Sequence, residues 1–165
     1  MASSAIVPLA NITLSSTQAT VTFSNIPNTY RDLRLIISAA TSANSNNIFR
    51  LNGDSGNNYV GIYATGNGTS PSTGTEGGTF MNLDSSAFTT TVVGETNHLW
   101  EINDYSATDK HKTILGRTNR AAGAVDMHVG RWVSTSAVTS ITLLPYTGGY
   151  TWSAGSTFAL YGIVS

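Results

Sequence analysis

The stretch Val125-Asp126-Met127-His128-Val129-Gly130-Arg131-Trp132 sets Val125, Met127, Val129 and Arg131 in alternation with Asp126, His128 and Gly130. A repeat of two is the spacing of a pleated strand, whose successive side chains point to opposite faces, and it does not fit the 3.6-residue repeat of an amphipathic helix. The same repeat recurs outward along the chain in both directions. Upstream, Ala19, Val21 and Phe23 alternate with Thr20, Thr22 and Ser24 until Asn25-Ile26-Pro27-Asn28 stops the run, and Leu33, Leu35 and Ile37 alternate with Arg34, Ile36 and Ser38. Residues 48–51 close on Asn52-Gly53, a strong turn signal. Residues 59–64, 79–83, 89–93, 98–102 and 112–117 read as further short strands. Downstream, residues 138–144 end at Pro145. Residues 157–163 carry Phe158, Leu160 and Gly162 on one face and Ala159, Tyr161 and Ile163 on the other, the two-sided pattern of a strand deep in a sheet.

Composition agrees with strands and against helices. Of 165 residues, 74 are Ser, Thr, Gly or Asn and only two are Lys, which disfavours a helical bundle, while 40% hydrophobic content suffices for a core. About ten short strands with turn chemistry between them predict an all-β chain, a single antiparallel β-sandwich, jelly-roll-like, with about 8–10 strands. Two segments stand outside that expectation. Residues 1–17, interrupted by Pro8, read as an N-terminal arm preceding one domain over residues 18–165. Residues 66–78 contain Gly, Ser, Thr, Asn, Pro71 and Glu76 but no apolar anchor, and read as an exposed loop.

A net charge of −1 supplies no positive field for nucleic acid or an anionic membrane surface, so neither is an expected partner. Without cysteine there is no disulfide framework, thiolate metal site or cysteine nucleophile. The first residues lack the basic start and apolar run of a signal peptide, and no apolar run approaches a membrane span. These features predict a protein made in the cytoplasm, and its weakly charged surface predicts self-association. The charges are segregated. Residues 51–109 hold seven acids (Asp54, Glu76, Asp84, Glu95, Glu101, Asp104, Asp109) and no Lys or Arg, whereas the rest holds eight bases against Asp32 and Asp126. Two readings follow: acidic and basic strands pair within one subunit, or oppositely charged edges meet between subunits.

Few chemistry-bearing side chains stand at spacings that would bring them together. His98, His111 and His128 lie 13 and 17 residues apart, too far for two ligands on one element, and there is no nucleophile elbow or phosphate-cradling glycine loop. No catalytic residue, metal ligand or cofactor is expected. Residues 52–58 are rich in oxygen ligands, but Asp54 is their only carboxylate, which favours an Asx turn over a calcium loop. Tyr146, Tyr150 and Trp152 flank a Gly-Gly turn and form the one candidate contact site, an aromatic platform for a glycan or a partner, with packing over the end of the sandwich as the alternative.

The order of several short phrases resembles that of a group of bacteriophage virion proteins. These phrases are Ile26-Pro27 followed by Tyr30-Arg31-Asp32-Leu33-Arg34-Leu35, Arg50-Leu51-Asn52-Gly53-Asp54, Trp100-Glu101-Ile102-Asn103-Asp104-Tyr105, Lys112-Thr113-Ile114-Leu115-Gly116-Arg117, Gly130-Arg131-Trp132, residues 136–143, and Ala154-Gly155-Ser156-Thr157-Phe158 running on to Leu160-Tyr161-Gly162-Ile163. The resemblance implies a non-enzymatic virion subunit with a small jelly-roll-like domain, commonly trimeric. Its expected role is capsid decoration (cement), with a tail-fibre or collar component that binds a receptor or glycan as the alternative. The expected partners are further copies of the chain and the major capsid protein or other virion proteins. The expected location is the virion, after synthesis in the host bacterial cytoplasm.

Overall fold

Alternating β-branched and aromatic residues, punctuated by Asn-Gly, Pro-Asn and Gly-rich turns, form twelve strands in the computed structural model, which describes residues 6–85, 89–121, 123–146 and 148–164. They are β1 (Ile6–Thr13), β2 (Val21–Phe23), β3 (Asp32–Ala39), β4 (Asn47–Leu51), β5 (Tyr59–Gly66) and β6 (Pro71–Gly78). The second half supplies β7 (Met81–Asn82), β8 (Thr96–Asn103), β9 (Lys112–Arg120), β10 (Val125–Trp132), β11 (Ile141–Pro145) and β12 (Thr157–Ile163). No helix long and apolar enough to cross a membrane occurs among the described residues.

One sheet has the order β1-β12-β3-β8-β9-β10-β5-β6 and the other β2-β11-β4-β7. Every named strand pair is antiparallel. Setting aside β5-β6 and β9-β10, the remaining eight strands divide into two four-stranded sheets, β1-β12-β3-β8 and β2-β11-β4-β7, the chain changing sheet at every step except from β4 to β7. That is the wrapping of an eight-stranded jelly roll, first strand beside last and outer pairs enclosing inner ones. The four extra strands form one sheet extension, because β9 pairs with β8, β10 with β9, and β5 with β10. The expected all-β sandwich is therefore what the chain forms, enlarged by two hairpins.

The core lies between the sheets. Leu33, Leu35 and Ile37 of β3, Trp100 and Ile102 of β8, and Phe158 and Leu160 of β12 face Val21, Phe23, Phe49, Leu51, Ile141 and Leu143. Phe49 meets Trp100 edge-on with ring centroids 5.3 Å apart. Trp100 in turn lies on Gly116, where an added Cβ would come within 2.5 Å of the indole, so only glycine leaves room for that ring on β9.

Three segment expectations are corrected. Residues 6–13 are not an arm but the edge strand β1, paired with β12 from Ile6↔Ile163 to Thr13↔Thr157. A register shift between Pro8 and Ala10 absorbs the proline that obscured the alternation, and Leu9, Ala10 and Ile12 pack on the core. Residues 1–5 lie outside the described residues. Of residues 66–78, Gly66 ends β5 and Pro71–Gly78 is the strand β6, held by its ladder with β5 and by the one buried side chain of Glu76, not by apolar anchors. The turn itself is only residues 67–70, where Asn67 Oδ1 accepts from the amides of Thr69 and Ser70 at 2.9 and 2.8 Å. Residues 89–93 are not a strand, although Thr89 makes one bridge to Ser45.

Candidate assembly face

Alternation on a half-buried strand ordinarily sends the apolar row to the core. On β10 the order is inverted. Asp126 and His128 are 2% and 0% exposed, whereas Val125, Met127 and Val129 are 60%, 59% and 43% exposed. Register fixes the inversion. Gly130 and Trp132 share the inner row with Asp126 and His128, and at Gly130 an added Cβ would lie 2.3 Å from Met81 Cε, so β7 seats directly on β10. Trp132, 2% exposed, donates from Nε1 to Asp54 Oδ2 at 2.6 Å. A slip by one residue would carry both of these contacts outward together with the charges.

The buried charges are compensated locally. His128 Nδ1 lies 3.0 Å from Glu76 Oε1, and His128 Nε2 lies 3.7 Å from Asp126 Oδ2, with all three side chains sealed from solvent. Burial alone would lower the histidine's pKa. The two flanking carboxylates outweigh it and hold the pKa at about 9, so the ring is an imidazolium at neutral pH. Burial likewise acts to raise Asp126, but His128, Thr65 and Ser85 keep it below the usual carboxylate range. Thr65 Oγ1 donates to Asp126 Oδ1 at 2.6 Å, and the Ser85 amide and hydroxyl donate to Oδ2 at 3.0 and 2.9 Å. Among the described residues no group of three or more His, Asp or Glu is placed to hold a metal ion. Here the imidazolium occupies the position between carboxylates that a cation would take.

A second buried polar group adjoins the first. Asp84 accepts from the Asn47 amide at 3.1 Å, from Asn47 Nδ2 at 3.0 Å and from Thr89 Oγ1 at 3.1 Å, while burial pushes its pKa up to about 7. His98 contacts Thr118 Oγ1 at 2.9 Å, and burial pushes it down to about 4, which keeps it neutral. Glu76, Asp84 and Asp126 are thus interior groups with interior partners. Of the seven acids in residues 51–109, Glu76 and Asp84 are therefore taken up inside the subunit.

The outward face of the same strands carries the displaced apolar side chains. Val129 lies between Leu115 of β9 and Ile62 of β5, and Met127 lies between Arg117 and Ala64. Ile62 is 59% and Val60 53% exposed. Grooves run between these rows. One, of about 470 Å³, is bordered by Ile62, Ala64, Thr73, Thr75, Met127 and Val129. Arg117 and Arg131 stand exposed on this face, while Arg34 at its far side pairs with Glu101. These exposed aliphatics form one contiguous apolar patch across β5, β9 and β10.

The aromatic platform is corrected in part. Trp152 is fully buried, stacks edge-on against Phe158 at 5.2 Å and donates from Nε1 to the Leu143 carbonyl at 3.3 Å, so it seals the core instead of facing a ligand. Tyr150 is half-buried. Tyr146 is exposed and its ring lies 4.8 Å from Phe80, a partner that sequence spacing did not suggest. Thr147 in the same turn lies outside the described residues. The oxygen-rich stretch at residues 52–58 is an Asx turn, with Asp54 accepting from Gly56, Asn58 and Trp132. The exposed face of β5, β9 and β10 went unread because alternation identifies two faces without saying which one is covered.

The chain matches no family model and no curated protein. Among solved structures it is similar to a Caenorhabditis elegans galectin, LEC-6, at 12% identity over 90% of this chain and 94% of that one, with a TM-score of 0.37. It is also similar to the alginate lyase Aly36B bound to an alginate trisaccharide, at 7% identity over 93% and 80% of the two chains and a TM-score of 0.31. A human SPRY domain aligns at 10% identity over 92% and 96%, with a TM-score of 0.24.

Proposed function

We propose that this chain is a non-enzymatic structural subunit of a bacteriophage particle, a head-decoration (cement) protein that assembles as a homotrimer on the capsid. The observation that carries the reading is the apolar outward face of β5, β9 and β10, maintained even though it requires an ion triad to be buried behind it. Such a face is suited to burial against another subunit. The order of phrases shared with phage virion proteins supports the class, and the jelly-roll wrapping is an architecture used by capsid and lectin domains alike. Cement function needs a rigid domain that adds contacts between neighbouring capsomers. Both edges of the large sheet are blunted against open-ended pairing, β1 by Pro8 and its register shift and β6 by Pro71 and its glycines, so the face, and not strand addition, is the docking surface.

The alternative, a tail-fibre or collar component that binds glycans, is favoured by one feature, the aromatic pair of Tyr146 and Phe80. Protein quantification on purified particles separates the two. Copies in fixed proportion to the major capsid protein are expected. A copy number at the level of tail components, with glycan binding lost on Tyr146→Ala, would favour the alternative, and absence from the particle would sink both.

A further inference from the structure

The outward face of β5, β9 and β10 has a charge that limits what can cover it. Arg117 and Arg131 form no ion pair among the described residues, so the apolar centre is bordered by two uncompensated positive charges. Two copies joined through this same face would bring four arginines into one desolvated interface, which is unfavourable. The occupant has to be apolar and to bring a carboxylate. One exposed element of the chain has that chemistry. The turn entering β8 carries Val92 and Val93, 52% and 44% exposed, followed by Glu95, whose carboxylate forms no ion pair among the described residues. Its shape is set in advance. The Glu95 amide donates to the Val92 carbonyl at 3.4 Å, the Val92 amide donates to Thr90 Oγ1 at 3.3 Å, and Gly94 adopts φ +91°. The Glu95 carbonyl accepts from the Ala121 amide at 2.8 Å, tying the turn to the end of β9.

We propose that the 90–95 turn of one copy docks on the β5–β9–β10 face of a second copy, with Val92 and Val93 entering the groove beside Met127 and Glu95 meeting the arginine border. This inference rests on the reading that the chain assembles with itself, and it specifies how. The groove of about 470 Å³ has room for two valine side chains. Turn and face are different surfaces of the chain, so the contact is heterologous: each copy gives a turn and receives one, and a rotation that closes makes a ring.

The test uses the full chain and light scattering at micromolar concentration. The unaltered protein is expected at a multiple of its 17.3 kDa mass. Met127→Asp, which spoils the face, and Val92→Asp, which spoils the turn, are each expected to give monomers. Both residues are exposed, and matching thermal melts verify that the variants fold. Mixing the two variants restores one intact contact per pair, because one supplies a sound turn and the other a sound face, and a heterodimer is expected. A monomeric unaltered protein overturns the inference. So does an oligomer indifferent to Val92→Asp, or a mixture that stays monomeric, which would indicate a different occupant. A correct oligomer on a protein absent from phage particles would leave this inference standing and remove the proposed function.

Discussion

The jelly-roll body and its four-stranded extension solve burial in opposite ways. In the body, β3, β8 and β12 turn Leu35, Ile37, Trp100, Phe158 and Leu160 inward, and stability comes from apolar area removed from water. In the extension, Lys112, Thr118, Asp126 and His128 occupy inward positions beside Ile114 and Trp132, while Val125, Met127, Val129, Leu115, Ile62 and Val60 face out. A buried ion pair contributes little net stability compared with packed hydrocarbon of the same volume, so the extension is built at a cost that folding of one subunit does not explain. In the extension the apolar row therefore lies on a face that a single subunit leaves uncovered, which is what the proposed assembly requires.

The largest effect is expected of His128→Leu. It leaves Glu76 and Asp126 facing each other without their cation, and a loss of about 3–5 kcal/mol is expected in chemical denaturation. Adding Glu76→Gln and Asp126→Asn removes the stranded charges and is expected to recover a substantial part of that loss. If the triple variant is no better than His128→Leu alone, charge compensation is not what holds the extension. In the body, Leu35→Ala is expected to cost ~2–5 kcal/mol through lost transfer energy and a residual cavity, with no dependence on pH.

A pH series sharpens the contrast. The folded pKa of His128, about 9, lies above its ordinary value of 6.5, so its contribution is complete below pH 6.5 and is lost as pH rises through 9. Two other buried groups act at lower pH in opposite senses. His98, held near 4, loses stability as pH falls from 6.5 toward 4, whereas Asp84, raised to about 7, loses it as pH rises from 3.8 through 7. His98 is silent above pH 7, whereas Asp84, half-ionised at about pH 7, falls silent only above about pH 8. The melting temperature is therefore expected to fall from pH 8 to beyond pH 9 in the native chain and to fall less steeply over that range in the triple variant. A parallel fall in both would assign the alkaline limb to other groups. The smallest expected effect is Met127→Ser, within about 0.5 kcal/mol for subunit stability because the side chain is already exposed. A large destabilisation there would show that the outward face serves the fold and not assembly.

Much of the strand inventory was legible in the residues. The alternation at Leu33–Ile37 and at Val125–Trp132, and the Asn52-Gly53 turn, reflect local backbone geometry, which depends on neighbours in sequence and so can be read there. The all-β sandwich follows from the same local signals. What tertiary structure alone decided is which side of each strand is inside. Val125, Met127 and Val129 look like a core row, and only the seating of Met81 on Gly130, with Trp132 bonded to Asp54, turns that row outward. Pairing likewise decided that Pro71–Gly78 is a strand, since its ladder comes from β5 and not from its own side chains. It decided as well that Trp152 is a core residue and that the distant Glu76, Asp126 and His128 form one triad. Faces, partners and burial are set by contacts between residues far apart in the chain, and no local spacing records them.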